Sequence, residues 1–137
     1  MKERIVKIKE IASEDDIFFL YGLLKERTKE MSISFKMPTY QEHKTFVKSR
    51  PYHSWFVIYD GDVRVGTVYK TKHDEIGIQI KKEFYRKGFA EKVVPLMYEL
   101  GDGRNLANIN PLNEPSIALF KKLGFKLIQY TFELKEI

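Results

Sequence analysis

Apolar residues alternate with charged ones from Arg4 to Ile11, where Ile5, Val6, Ile8 and Ile11 punctuate a basic background. That spacing predicts a first strand. The period then lengthens. Ile17, Leu20, Tyr21 and Leu24 recur at helical intervals behind Ser13, an N-cap residue followed by Glu14, Asp15 and Asp16. Acidic side chains suit the positive start of a helix, and Lys25, Arg27 and Lys29 suit its end. Met31 to Pro38 reads as loop. Thr39 and Glu42 form a capping box that opens a short helix, with His43, Phe46 and Val47 on one face. This helix and the loop before it are expected either to form a lid over a pocket or to pack as ordinary structure.

The next third of the chain predicts an antiparallel meander. Ser54 to Tyr59 is dense in aromatic and β-branched residues, Asp60-Gly61 is a hairpin signal, and Val63 to Tyr69 returns. A polar turn from Thr71 to Asp74 leads into a third strand, Glu75 to Ile80. A basic turn, KKEFYRKGFA, connects this strand to a helix whose core stripe is Val93, Val94, Met97 and Leu100. Pro95 removes the N–H that would bond the carbonyl of Glu91, so the helix should kink or break there. Gly101 and Gly103 end the segment. Leu106 to Asn110 reads as a short strand that would pair in parallel with 75–80 after the helical crossover. Asn113 caps a last helix carrying Ile117, Phe120 and Leu123, and Gly124 stops it. Phe125 to Leu134 alternates again and is expected to close the sheet.

Composition narrows the function. The 137 residues suffice for one domain with one core, and no linker or repeat divides them. There are no cysteines, which excludes disulfides, thiolate metal sites and cysteine nucleophiles. Three scattered histidines give no ligand spacing, so no metal is expected. No apolar run approaches the ~20 residues of a membrane span, and a cytoplasmic location without membrane partners is expected. The net charge of +5 and sequence pI near 9.3 favour an anionic partner. Nucleic acid is not the expected one, because the chain lacks a recognition-helix signature and an RNA-binding aromatic motif.

The basic turn is the main candidate site. A helix start exposes unpaired amides and carries partial positive charge. Here it follows Lys81, Lys82, Arg86 and Lys87, with Gly88 and Ala90 where backbone must approach a ligand closely. This points to a phosphate-bearing ligand on the helix start, with its remainder along the preceding strand. The alternative is a solvated connection.

Tyr85-Arg86-Lys87-Gly88-Phe89-Ala90 resembles the pyrophosphate loop of the GCN5-related N-acetyltransferases, whose pattern is Gln/Arg-x-x-Gly-x-Gly/Ala. The Asn113-capped helix running to Leu123-Gly124-Phe125 resembles the second signature of that family. The resemblance implies an α+β (α/β three-layer) fold: a mixed, mostly antiparallel twisted sheet, helices on both faces, and a parallel, splayed central strand pair. It implies acetyl-CoA as co-substrate. The expected cofactor-binding residues are Ile78, Gln79 and Ile80 on the strand, Arg86, Lys87, Gly88, Phe89, Ala90 and Glu91 in the loop, and Asn110 and Asn113 beyond it. The implied acceptor is the primary amine of a small molecule, an amino sugar among the candidates, because the Glu-His-x-x-Phe segment at 42–46 resembles members that acetylate sugar nucleotides. A protein or peptide acceptor, or a non-catalytic acyl-CoA sensor, is the alternative. The protein is expected to be a monomer or a homodimer.

Two departures empty the usual acid and base positions. Phe120 stands where many members carry a tyrosine thought to protonate the leaving thiolate, and phenylalanine has no proton to give. Asn108 stands where some protein-acetylating members carry a glutamate base. Glu75, His43 and Tyr40 are the replacement candidates for catalysis. Tyr52 and Tyr69 are further proton donors, and His53, His73 and Glu42 are weaker titrating candidates. Arg27 is a candidate anchor for an anionic acceptor. Packing, capping or solvation is the competing reading for each of them.

Overall fold

The computed structural model describes residues 4–27 and 36–135. Lys29 and most of the expected loop Met31–Pro38 lie outside the described residues. In chain order the elements are β1 (Val6–Glu10), α1 (Glu14–Lys25), α2 (Tyr40–Lys48), β2 (Ser54–Asp60), β3 (Val63–Lys70), β4 (Ile76–Ile80), α3 (Phe89–Val93) and α4 (Glu114–Lys122). Short 3-10 turns occupy Lys82–Phe84 and Val94–Met97.

Both expected capping boxes form. The Ser13 hydroxyl accepts from the Asp16 amide while Asp16 reaches back to the Ser13 amide, and Thr39 and Glu42 do the same for α2. Asp60 pairs with Val63, so the hairpin turns through Gly61 and Asp62, with Gly61 at φ 61. Pro95 ends α3 early, and the chain continues as the tighter 3-10 turn.

The sheet is antiparallel in the order β1-β2-β3-β4. One face meets α3 and α4 in the larger core, built from Ile58, Val65, Val68, Ile76, Phe89, Val93, Val94, Met97 and Phe120. Burying such a side chain stabilises by about 1.5–3 kcal/mol. The other face carries α1 and α2, packed through Ile17, Leu20, Leu23 and Val47 with Trp55. A fully buried cation ties the first layer together. Lys70 Nζ on β3 donates to the carbonyls of Met97 at 3.3 Å and Leu100 at 2.6 Å and to Asn105 Oδ1 at 2.8 Å. All three ammonium protons therefore have acceptors at the end of the helical segment that Pro95 shortened.

Two expected strands are not formed among the described residues. The strand Leu106–Asn110 is reduced to one parallel bridge, Glu75 to Leu106, held by Ile76 N–H to the Leu106 carbonyl and Leu106 N–H to the Asp74 carbonyl. Phe125–Leu134 does not close the sheet. Gly124 and Phe125 still bond back to α4, but residues 126–135 are exposed and join no ladder. Alternation marks a segment able to bury one face in a sheet; it does not supply the edge to pair with.

Candidate active site

The single bridge at Leu106 sets the geometry of β4. Thr71 N–H bonds the Glu75 carbonyl and Lys81 N–H bonds the Val65 carbonyl, so odd-numbered residues of this strand aim their amides at β3. Ile76 aims its amide the other way, at Leu106. Backbone direction alternates along a strand, so the N–H and C=O of Ile78 and Ile80 also face that second edge. Among the described residues no backbone group pairs with them there, because the chain after Leu106 diverges. The amides of Ile78 and Ile80 are thus left without a backbone partner on the edge facing residues 107–110, among the described residues.

The basic turn lies at the C-terminal end of β4. Arg86 at φ 62 and Gly88 at φ 80 both take left-handed backbone, and the space beside the Gly88 α-carbon is open. Phe89 is buried in the core and anchors the helix start, with the Arg4 guanidinium 5.3 Å from its ring centre. Arg4 also donates to the Lys87 carbonyl at 3.3 Å. The first α-helical bond of α3 runs from Lys92 N–H to the Gly88 carbonyl. The amides of Phe89, Ala90 and Glu91 therefore have no acceptor within the helix. Ala90 is half-buried, and Glu91 pairs with Lys122 at 3.1 Å.

Side-chain alternation puts Glu75, Gly77 and Gln79 on the face toward α1. Gln79 Nε2 donates to the Leu23 carbonyl at 2.6 Å, and its Oε1 accepts from Arg27 Nε at 3.3 Å. Its side chain is thus committed to α1. Ile78 and Ile80 turn theirs into the larger core. The Tyr69 ring lies directly over Gly77: a β-carbon added there would sit 2.1 Å from its Cζ. Tyr52 stacks on Tyr69 with ring centres 4.1 Å apart and planes 8° apart. Burial, first, and then the neighbouring Tyr69 push the Tyr52 hydroxyl well above the usual phenol range, so it keeps its proton. Glu75 Oε1 accepts from the Thr71 hydroxyl at 2.9 Å, and Oε2 accepts from the Asn108 amide. Each oxygen keeps a further lone pair.

Other candidates fall elsewhere. His43 is 4% exposed, packed against Tyr21 and Tyr40, and its Nε2 donates to the Ile17 carbonyl at 2.9 Å. Burial lowers its basicity despite that bond. The ring packs α2 on α1, with Nε2 committed to the Ile17 carbonyl. Tyr40 donates to Glu14 Oε1 at 2.9 Å on the outer side of the α1–α2 pair, which takes its proton away from that edge. Glu42 is spent on its capping box, and His53 and His73 are exposed. Asn110 Oδ1 accepts from the Leu112 amide, and Asn113 caps α4 through the Ser116 amide. Phe120 is buried edge-on to Phe125. Among the described residues no group of histidines or carboxylates could hold a metal ion, and no helix is long and apolar enough to cross a membrane. Thr71 and Gly77 had not been singled out from the sequence. The signal for Thr71 was its place four residues before Glu75 across a tight polar turn.

Residues 69–133 match the family described as FR47-like protein. Among curated proteins nothing matches the chain. Among solved structures, a domain from Methanocaldococcus jannaschii DSM 2661 is similar at 24% identity, covering 96% of this chain and 94% of that one, with a TM-score of 0.80. An N-acetyltransferase from Staphylococcus aureus Mu50 is 21% identical over 89% of this chain and 84% of that one, with a TM-score of 0.73. A spermidine N-acetyltransferase from Vibrio cholerae, in complex with CoA and spermine, is 16% identical over 87% and 79%, with a TM-score of 0.72.

Proposed function

We propose that the chain is a GCN5-related N-acetyltransferase, a reading supported by the FR47-like match over residues 69–133 and by the fold it shares with N-acetyltransferases, and that it transfers an acetyl group from acetyl-CoA to the primary amine of a small molecule. The observation that carries the reading is the divergence of β4 from residues 107–110, which leaves the amides of Ile78 and Ile80 without a backbone partner among the described residues. The basic turn and its unbonded helix-start amides lie at the end of the same strand. These residues fit the two polar parts of the ligand. The strand amides suit the amide groups of the pantetheine arm. The amides from Arg86 to Glu91, with Gly88 admitting close approach, suit the pyrophosphate. Acetyl-CoA supplies the acetyl group as an activated thioester.

The chain's own residues have three tasks. An alkylamine with a pKa near ~10.4 must lose a proton before it can attack. Glu75, aimed by Thr71 and Asn108, takes that proton through water. The Ile78 amide donates to the carbonyl oxygen as negative charge develops there. Tyr69, with Tyr52 stacked on it, returns a proton to the departing sulfur, the task Phe120 cannot perform. His43 and Tyr40 have no part in this assignment. A small acceptor is supported by the similarity to a spermidine-acetylating enzyme. An amino sugar belongs in the same screen.

The test is thermal melting with and without acetyl-CoA. A ligand at ~100 times its Kd stabilises by about 2.7 kcal/mol, which raises the Tm of a domain this size by several degrees. Gly88→Glu should remove the shift while keeping a cooperative melt, after a cost of about 1–2 kcal/mol for a side chain in left-handed backbone. No shift in the native chain would overturn the reading. A shift without thiol release across an amine panel would leave an acyl-CoA sensor in its place.

A further inference from the structure

On the sheet face turned toward α1 and α2, Trp55, Tyr69 and Gly77 stand in one row across β2, β3 and β4. Tyr52 stacks on Tyr69. Phe46 of α2 meets Tyr52 and Trp55 edge-on, with ring centres 5.9 and 6.0 Å away. Phe46 is 46% exposed, and Tyr52, Trp55 and Tyr69 are half-buried, so the four rings form a wall that keeps part of its surface in solvent. Glu75 lies on the same face, two residues before Gly77. Strands stand about 4.8 Å apart and same-face neighbours about 6.6 Å apart, which puts the α-carbons of Tyr69 and Glu75 roughly 8 Å from each other. One small molecule spans the wall and the carboxylate.

The polar groups beside the wall are already committed. Trp55 Nε1 donates to Thr67 Oγ1 at 2.9 Å, and the Thr67 hydroxyl donates to the Phe56 carbonyl at 2.8 Å. In the adjoining row Gln79 is held by the Leu23 carbonyl and Arg27. Charge on this face is one-sided. Within residues 53–57, 67–71 and 75–79 the single carboxylate is Glu75. Burial and then Tyr69 raise the Tyr52 hydroxyl, while Arg27 acts against them, which places its positive charge at the wall.

Resting on the acetyl-transfer reading, we infer that the acceptor is a primary amine on a flat apolar body, an arylalkylamine, its ring against Phe46, Tyr52 and Trp55 and its amine directed to Glu75. One carboxylate matches one ammonium. A polyamine brings a second ammonium to a wall with Arg27 beside it and no second carboxylate on these strands, and an unpaired charge out of water is costly. An amino sugar brings hydroxyls to a surface whose polar groups are taken, and each one left unpaired weakens binding. A flat ring instead adds stacked or edge contacts, each aromatic pair being worth about 3–10-fold in affinity.

Trp55 is the only tryptophan of the chain, so its fluorescence reports on the wall. With CoA present at saturation, 2-phenylethylamine should change the Trp55 emission saturably, and spermidine and glucosamine should not. In thiol-release assays with acetyl-CoA, kcat/KM for 2-phenylethylamine should exceed that for either of the others by about 10-fold or more, since the ring meets more than one wall residue. Phe46→Ala should raise KM for 2-phenylethylamine about 3–10-fold with kcat unchanged, as loss of a pure binding contact does. Phe46→Tyr, which keeps a ring, should restore KM. The melting shift with acetyl-CoA should be the same in both variants and the native chain, because Phe46 is exposed and remote from the turn at Gly88. A preference for spermidine or glucosamine, a Trp55 signal unmoved by 2-phenylethylamine, or a KM indifferent to Phe46→Ala overturns the inference, while thiol release with any amine keeps the acetyl-transfer reading. Absence of thiol release with every amine overturns both.

Discussion

At Glu75 one carboxylate oxygen accepts from a hydroxyl four residues back and the other from an amide 33 residues ahead. A carboxylate held on both oxygens has few orientations left, which is how a base is positioned rather than merely present. Glu75→Gln keeps the shape and removes the basicity, so kcat should fall by about 10²-fold or more while the acetyl-CoA melting shift persists. Asn108→Asp tests the positioning. A second carboxylate against Glu75 disfavours its charged form and raises its pKa. The acid limb of the pH profile of kcat/KM should then move to higher pH. An unchanged limb would mean that Glu75 is not the group being titrated. The sequence singled out Glu75 but read Asn108 only as a missing base. The partnership depends on one bridge between distant segments, which no local pattern encodes.

Among the elements, β3 and the helical segment 89–100 are joined through Lys70. Its ammonium is out of water, yet each proton has an acceptor, so the cost of burying charge is offset. Lys70→Met keeps the aliphatic stem and strands the Leu100 carbonyl and the Asn105 amide oxygen, while the Met97 carbonyl still accepts from the Leu100 N–H. Unsatisfied buried groups cost about 1–3 kcal/mol each. We expect a loss of about 3 kcal/mol or more in urea unfolding, and a loss below 1 kcal/mol would mean that water reaches those groups. Nothing local in the sequence marks Lys70 as buried, because its three acceptors lie 27 to 35 residues ahead. The elements themselves were legible where local chemistry decides them: capping boxes at Ser13 and Thr39, the turn at Gly61, the break at Pro95. They were misread at 106–110 and 125–134, where strand formation needs a neighbouring edge. The turn at Gly88 was legible because its glycine and lysines are contiguous. The unpaired edge at Ile78 could be placed only through the resemblance, since it arises from how two segments part.

Across the whole molecule, pH acts on two buried groups that pull the same way. Burial alone would raise the Asp16 carboxyl, but the Ala12 and Ser13 amides and Arg64 outweigh it and hold it below its usual value. His43 is lowered by burial. A lowered carboxyl contributes stability above its unfolded value of ~3.9 that is lost as pH falls through the folded one. A lowered imidazole behaves alike from a higher start. Below ~6.5 the unfolded chain binds a proton that the folded chain refuses, so stability drops on acidification, by at most about 1.4 kcal/mol per pH unit for one site. Denaturant unfolding at pH 7 and pH 5 should therefore show the native chain weaker at pH 5. His43→Gln keeps a donor for the Ile17 carbonyl and removes the titration. It should be less stable than the native chain at pH 7, where packing is lost, and flatter between the two pH values. An equal slope in both proteins would remove His43 as the source. The fall below pH 4 should remain in that variant, because it belongs to lowered carboxyls, Asp16 with Glu14 and Glu42, and should shrink in Asp16→Asn at a cost of about 1–3 kcal/mol near neutrality.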